Sequence, residues 1–128
     1  MKIKPASEDL LSDKDAWKAV GLNILNFMEC QPTLEGVGRA IDLWKEDKPI
    51  PEQEMIDGLG FLFGDLCIEQ HGGQWVMVED QWGVTPAIQA KSDQVVYSLD
   101  IISKRLREDI NCAERDIPSV ALVYSEMN

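Results

Sequence analysis

The residues best suited to chemistry lie near the end of one apolar stretch of the chain. His71 is the only histidine and follows Cys67 by four residues, while Asp65 and Glu69 are likewise one helical turn apart. A cysteine–histidine pair can form a nucleophile with its base or half of a metal site, and two carboxylates can bind a hard cation or transfer protons. Two ligands are too few for a metal, however, and any solvated helix face produces such carboxylate pairs. We therefore interpret His71 as a structural residue that interacts with the last carbonyl groups of a helix.

No catalytic or cofactor-binding motif accompanies these residues. Cys30, Cys67 and Cys112 are dispersed and form no C-x-x-C pair, which argues against a disulfide framework and against a zinc ribbon. The sequence contains no D-x-D-x-D-G, H-E-x-x-H or G-x-S-x-G pattern, and "GLGFLFG" lacks the preceding strand and the lysine of a phosphate-binding loop. We therefore predict a protein without catalytic residues, metal or cofactor, and not an enzyme.

A second group of residues, Glu79-Asp80-Gln81-Trp82, stands between two stretches rich in β-branched side chains. An exposed tryptophan beside charged groups is a common anchor of protein interfaces, and a short turn cannot easily bury Trp82 by itself. The alternative is that Trp82 folds back onto Trp75 or onto a helix, since most aromatic side chains are largely buried. We take Glu79, Asp80, Gln81 and Trp82 as the candidate partner-binding residues.

The bulk properties of the 128 residues restrict the class of partner. Length and ordinary composition predict one domain over residues 1–128. A net charge of −11, from 23 acidic and 12 basic residues, disfavours binding to nucleic acids and anionic membranes and favours a basic protein partner, although it also serves solubility. Dispersed cysteines, with no signal peptide and no apolar run of about 18 to 20 residues, predict a location in the cytoplasm.

Helical periodicity dominates the first third of the chain. A first helix is expected at about residues 13–30, where Ser12 and Asp15 match a capping box. Thr33 is suited to cap a second helix, which ends before the sequence "EDKPIP".

A third helix is the most apolar segment of the chain. Pro51 fits its first position, and Gly72-Gly73 fits a left-handed cap after His71. Gly60 and Gly64 lie four residues apart within this helix and each lowers its helix propensity, which predicts that another backbone approaches closely there.

After the third helix, the spacing of the apolar residues changes from the helical period of about 3.6 residues to the strand period of about 2. Residues 75–78 and 84–90 predict two strands joined by a short turn in which Gly83 takes a positive φ. Pro86 lacks a backbone donor and is expected at a bulge or a sheet edge. A third short strand is expected at residues 94–97.

The last quarter of the chain predicts a fourth helix and an extended tail. Leu99, Ile102 and Leu106 recur at helical spacing, and the tail "SVALVYS" has the composition of a strand or of a loosely packed extension. These elements predict an α+β fold in which N-terminal helices pack on a small antiparallel sheet, with a hairpin, one or two further short strands and a C-terminal helix.

The third helix and the hairpin together read LGFLFGDLCIEQHGGQWVMVEDQWGVTPAI. This segment resembles a bacterial family of uncharacterised small domains known as domain of unknown function 3806. The shared pattern is a helix with G-x-x-x-G and a following acidic residue, here Gly60, Gly64 and Asp65, and then W-V-x-V-x-D-x-x-G-x-x-x-A. The second part corresponds to Trp75, Val76, Val78, Asp80, Gly83 and Ala87. The later segment "IISKRLRED" is similar to the family's ending.

The resemblance implies an α+β fold and brings no established activity. Related proteins occur among the immunity proteins of bacterial toxin systems, and many such toxins are basic nucleases. Under this resemblance Asp80 accepts hydrogen bonds from backbone N–H groups so that Gly83 can reverse the chain. Glu79, Gln81 and Trp82 are then the residues left for specific recognition.

Two hypotheses about function follow. The first is a non-enzymatic protein-binding module, most concretely an immunity-type protein that neutralises a basic toxin. The second is a housekeeping domain that binds a small molecule or acts as a weak hydrolase through Asp65, Glu69 and His71. A toxin gene beside the gene for this protein would favour the first.

Overall fold

The computed structural model describes residues 1–109, 112 and 116–128. Its elements in chain order are β1 (Lys2–Pro5), α1 (Glu8–Phe27), α2 (Leu34–Asp47), α3 (Glu52–His71), β2 (Gln74–Asp80), β3 (Gly83–Gln89), β4 (Val95–Val96), α4 (Ser98–Arg107) and α5 (Ile117–Met127). The strands form one antiparallel sheet in the order β1-β2-β3-β4, and on one of its faces the buried side chains of Trp75 and Ile88 share a core with the helices. The predicted α+β class is therefore confirmed.

Helix α1 begins and ends earlier than expected. The Ser7 hydroxyl caps it by accepting a hydrogen bond from the backbone N–H of Leu10, at 3.1 Å. The predicted cap at Ser12 is wrong because Ser7 supplies the same hydroxyl directly after β1, and the helix already continues through Ser12. The helix ends at Phe27, so the predicted end at Cys30 is three residues late.

Helices α2 and α3 lie close to their predicted positions. Thr33 caps α2 by accepting a hydrogen bond from the N–H of Gly36, at 3.0 Å. Pro51 is the residue before α3 and not its first residue. Gly72 follows the helix with φ 88° and ψ −173°, which is a positive φ suited to glycine but not the left-handed helical conformation that we expected.

Glycine residues allow α3 to contact its neighbours closely. At the crossing of α1 and α3, a Cβ atom on Gly21 would overlap the carbonyl oxygen of Gly58. The predicted backbone approach at Gly60 is confirmed, because a Cβ there would lie 2.9 Å from the Cα of Leu99 at the start of α4. These contacts fix α3 between α1 and α4.

The sheet contains the predicted hairpin and one strand that the sequence did not indicate. In the hairpin Trp75 is opposite Ile88 and Asp80 is opposite Gly83. Strand β4 pairs with β3 only at its far end, so Pro86 lies on a free edge, as expected. Strand β1 pairs with the other side of β2.

The chain ends in a helix and not in the expected strand. Ile117, Ala121 and Tyr124 recur at helical spacing and are buried. The Tyr124 hydroxyl also donates a hydrogen bond to the carbonyl oxygen of Gly72, at 2.6 Å. Burial of this face therefore outweighs the β-propensity of the valines, on which the prediction rested.

Candidate functional site

The turn between β2 and β3 is short and is held by its own side chains. Residues 80–83, here called the hairpin tip, connect the strands through Gln81 and Trp82. The Asp80 carboxylate accepts a hydrogen bond from the backbone N–H of Trp82, at 2.8 Å. Gly83 has a φ of 129°, a conformation that L side chains rarely adopt. The expected turn roles of Asp80 and Gly83 are thus confirmed.

Trp82 is exposed at this tip. The residue keeps 86% of its surface accessible, and the nearby Val84 keeps 57%. The alternative that Trp82 packs on Trp75 or on a helix is wrong. Trp75 lies five residues before Asp80, the last residue of β2, a distance of about 17 Å from the turn at the rise of an extended strand. Its ring is buried against α3 and is inaccessible from the tip.

Glu79 is in an ion pair with β1. The ammonium group of Lys4 lies 2.6 Å from its carboxylate, and both side chains are about half exposed. Lys2 is directly opposite Glu79 in the strand register. The acidic character that the sequence suggested for the turn is therefore reduced at Glu79, because β1, a strand that the sequence did not indicate, places lysines beside it.

Apolar side chains are exposed on both faces of the sheet near the tip. Val84 is opposite Glu79 on the face that Trp75 shares, and Ile3 is opposite Val78 on the other face. Ile3 is itself exposed. The alternation in β1 would have revealed Ile3 had "KIKP" been long enough to read as a strand.

The other face of the sheet carries a second, small apolar cluster. Val76, Val78 and Ala87 are buried there, and Val95 and Tyr97 pack against them. Val76, Val78 and Ala87 are also positions of the family motif, so their role is to pack the hairpin on this face of the sheet. The hairpin tip therefore projects from a packed sheet and not from a loose loop.

Asp65, which the hydrolase hypothesis requires, is buried and has its oxygens occupied. Only 7% of the residue is exposed. One carboxylate oxygen accepts a hydrogen bond from the indole N–H of Trp75 at 2.8 Å, and the other lies 3.1 Å from the ammonium of Lys18 and 3.3 Å from that of Lys14. Burial acts to raise the pKa of Asp65, but the Trp75 hydrogen bond and the two lysines hold that pKa below its ordinary value.

The packing of Trp75 also explains why Gly64 precedes Asp65. A Cβ atom on Gly64 would overlap the six-membered ring of Trp75. The glycine therefore leaves space for the Trp75 side chain, and not for a neighbouring backbone as we expected. The ring of Phe61 lies 5.3 Å from that of Trp75, centre to centre. Gly64, Asp65 and Trp75 thus join α3 to β2 as one packed unit.

The remaining candidates for chemistry are not assembled into a site. Glu69 pairs with Lys18 at 3.0 Å. Cys67 is fully buried, and burial raises the pKa of its thiol to about 12, so the thiolate is scarce at neutral pH. His71 is half-buried in the last turn of α3. Within residues 1–109, 112 and 116–128, no group of three or more His, Cys, Asp or Glu side chains is arranged to hold a metal ion.

No helix in the described part of the chain is long and apolar enough to cross a membrane. A family model described as "Domain of unknown function (DUF3806)" matches residues 42–116. The matched range contains α3, the hairpin and α4, and it excludes β1 and α1, which supply the lysines paired with Glu79 and Asp65. No curated protein and no solved structure matches the chain.

Proposed function

The chain belongs to the DUF3806 family of domains of unknown function, and we propose that it is a non-enzymatic protein-binding module whose hairpin tip contacts the partner. The observation that carries this proposal is the exposure of Trp82, at 86%, on a turn that Asp80 and Gly83 hold in place. The occupied state of the Asp65 carboxylate supports binding over hydrolysis.

The size of Trp82 is sufficient for a binding anchor. A tryptophan that buries roughly 170 Å² of apolar surface gains about 4 kcal/mol at about 25 cal/mol per Å², before the cost of association is subtracted. The hydrogen bond between Asp80 and the N–H of Trp82 restrains the turn before binding, so little loop ordering remains to oppose association.

The edges of the sheet favour recognition by side chains at the tip over addition of a partner strand. Strand β1 carries Lys2, Lys4 and Pro5, and the free part of β3 carries Pro86. Lysine and proline on an edge strand oppose pairing with another chain. Trp82 and Val84 remain as the contact groups of this end of the molecule.

The proposed partner is a basic protein, and the proposed biological role is that of an immunity protein that neutralises a basic toxin such as a nuclease. The net charge of −11 supports this choice because it attracts cationic proteins and repels anionic ones. Since Lys4 balances Glu79, the attraction comes from the whole acidic surface and acts mainly on the rate of association. It should weaken with salt, as the Debye length falls from about 30 Å at 0.01 M to about 10 Å at 0.1 M.

Site-specific photo-crosslinking in the native host tests the proposal. A benzophenone amino acid is placed at Trp82 and, as the matched control, at Phe27, which is 66% exposed on α1. We expect one basic protein to be cross-linked from position 82 and not from position 27. Growth inhibition by that protein, relieved by co-production of this chain, would support the immunity role. Equal cross-linking from both positions, or none from position 82, would contradict the proposal.

A further inference from the structure

A cavity of about 740 Å³ lies on a different part of the molecule from the hairpin tip. It opens where the end of α2, the α2–α3 connection, the start of α3 and the end of α4 meet. Its lining includes Trp44, Lys48, Ile50, Glu52, Leu106 and Arg107. A volume of this order is typical of sites that bind small organic molecules.

The walls of the cavity are held in place by the protein itself. The indole N–H of Trp44 donates a hydrogen bond to the carbonyl oxygen of Ile50, at 2.7 Å. Pro49 and Pro51 flank Ile50 and restrict its backbone. Trp44 and Leu106 are almost fully buried and form an apolar floor. The cavity is therefore formed before any ligand arrives.

The opening of the cavity carries positive charge on a strongly acidic protein. Lys48 and Arg107 come from distant parts of the sequence and line it together, and Glu52 is the one carboxylate among those lining residues that the structure describes. Two cations and one anion leave a charge of +1, in contrast to −11 for the chain. An anion that most of the surface repels is thus attracted here.

Both cations retain capacity to bind a ligand. Arg107 uses its Nε–H toward the Glu52 carboxylate, at 3.2 Å, and this leaves the terminal nitrogens of its guanidinium group as donors. The Lys48 ammonium lies 5.5 Å from the centre of the Trp44 ring. In the described ranges no carboxylate forms an ion pair with Lys48.

We propose that this cavity binds a small organic carboxylate with a flat apolar body. The apolar body packs on the floor formed by Trp44, Ile50 and Leu106, and the carboxylate accepts hydrogen bonds from Lys48 and Arg107. Guanidinium and ammonium donors to a carboxylate form charge-assisted hydrogen bonds, which are stronger than neutral ones. This site does not depend on the hairpin tip or on its proposed partner.

The test uses 3-phenylpropanoate as the probe and its uncharged amide, 3-phenylpropanamide, as the matched ligand. Amide resonances of Ile50 and Glu52 and the indole N–H of Trp44 are followed by NMR during titration of the wild-type protein. We expect saturable shifts with a Kd of about 1 mM, the range for a fragment of this size, and binding of the amide about tenfold weaker. Absence of saturable shifts, or equal affinity for acid and amide, would overturn the proposal.

Charge-removing variants provide a second, independent comparison. Lys48→Gln and Arg107→Gln each keep a long polar side chain, and each should weaken binding of 3-phenylpropanoate about tenfold. Lys104→Gln, on the same helix as Arg107 but paired with Asp100 outside the cavity, should leave the Kd within a factor of two of the wild-type value. Equal weakening by all three substitutions would show that only net charge matters and would contradict a specific site.

Discussion

Asp65→Asn isolates the contribution of the buried charge that joins α1, α3 and β2. The substitution keeps the shape of the side chain and its ability to accept the indole hydrogen bond of Trp75, and it removes the charge that faces Lys14 and Lys18. Loss of one partner from a buried ion pair typically costs about 3–5 kcal/mol.

The expected loss is smaller here because the lysines keep other partners. Lys14 also contacts Asp15 at 2.6 Å, and Lys18 contacts Glu69 at 3.0 Å. We therefore expect Asp65→Asn to lower the free energy of unfolding at pH 7 by about 2–3 kcal/mol, measured by urea denaturation.

Asp100→Asn is the matched control for that measurement. Asp100 pairs with Lys104 one helical turn away, and both side chains are more than half exposed. Exposed pairs of this kind contribute about 0.3–0.5 kcal/mol. A loss of about 0.5 kcal/mol or less for Asp65→Asn, equal to that of the control, would refute the assignment of a buried and stabilising charge cluster.

The pH dependence follows from the pKa of Asp65. Its folded-state pKa lies below the ordinary value of 3.8, so the unfolded chain takes up the proton first as the solution becomes acidic. The stability that Asp65 contributes is therefore complete well above pH 3.8 and is lost as pH falls through the lower, folded-state value. The difference between wild type and Asp65→Asn should narrow below about pH 4, and a difference that persists unchanged to pH 3 would contradict the pKa direction.

Three further outcomes follow from the packing of α3. Gly64→Leu should lower the free energy of unfolding by about 3 kcal/mol or more, because the added side chain displaces the Trp75 ring; an unchanged melting temperature would contradict this contact. Tyr124→Phe should cost about 1 kcal/mol through loss of the hydrogen bond to the carbonyl oxygen of Gly72, and a neutral effect in thermal melts would show that this bond adds nothing. Burial and a thiol pKa of about 12 should protect Cys67 from iodoacetamide at pH 8 in the folded protein, as checked by mass spectrometry after digestion; rapid labelling under native conditions would be inconsistent with its buried position.

Sequence patterns predicted the centre of the fold better than its ends. Helices α2 and α3 and the hairpin combine clear periodicity with local signals, namely the Thr33 cap, the prolines at 49 and 51, and Gly83 in the turn. In these elements the local sequence preferences agree with the tertiary contacts. An element can be predicted from sequence when its local preferences and its tertiary contacts favour the same structure.

The terminal elements depend on contacts that are distant in sequence. Strand β1 has four residues and gains its hydrogen bonds from residues 76–79, far along the chain. Helix α5 buries Ile117 and Tyr124, which overrides the strand propensity of its valines. Because β1 was not foreseen, the pairing of Lys4 with Glu79 was not foreseen either, and the turn was expected to be more acidic than it is.

The candidate site was predicted in part. The position of the turn followed from the sequence, and the structural role of Asp80 followed from the family resemblance, under which an aspartate before a glycine reversal has a defined turn chemistry. Exposure of Trp82 did not follow, because periodicity alone does not show whether a helix covers the end of a hairpin. That question depends on where α1 and α3 end relative to the sheet.

In the proposed function, Trp82 serves recognition and not folding. The most direct test of this role is the dissociation rate constant of the cross-linked partner from Trp82→Ala, compared with Phe27→Ala, a second exposed aromatic truncated in the same way. We expect dissociation to become about 30-fold faster for Trp82→Ala, which corresponds to about 2 kcal/mol, and to stay unchanged for Phe27→Ala. An unchanged rate for Trp82→Ala, or the same acceleration in both variants, would contradict this role.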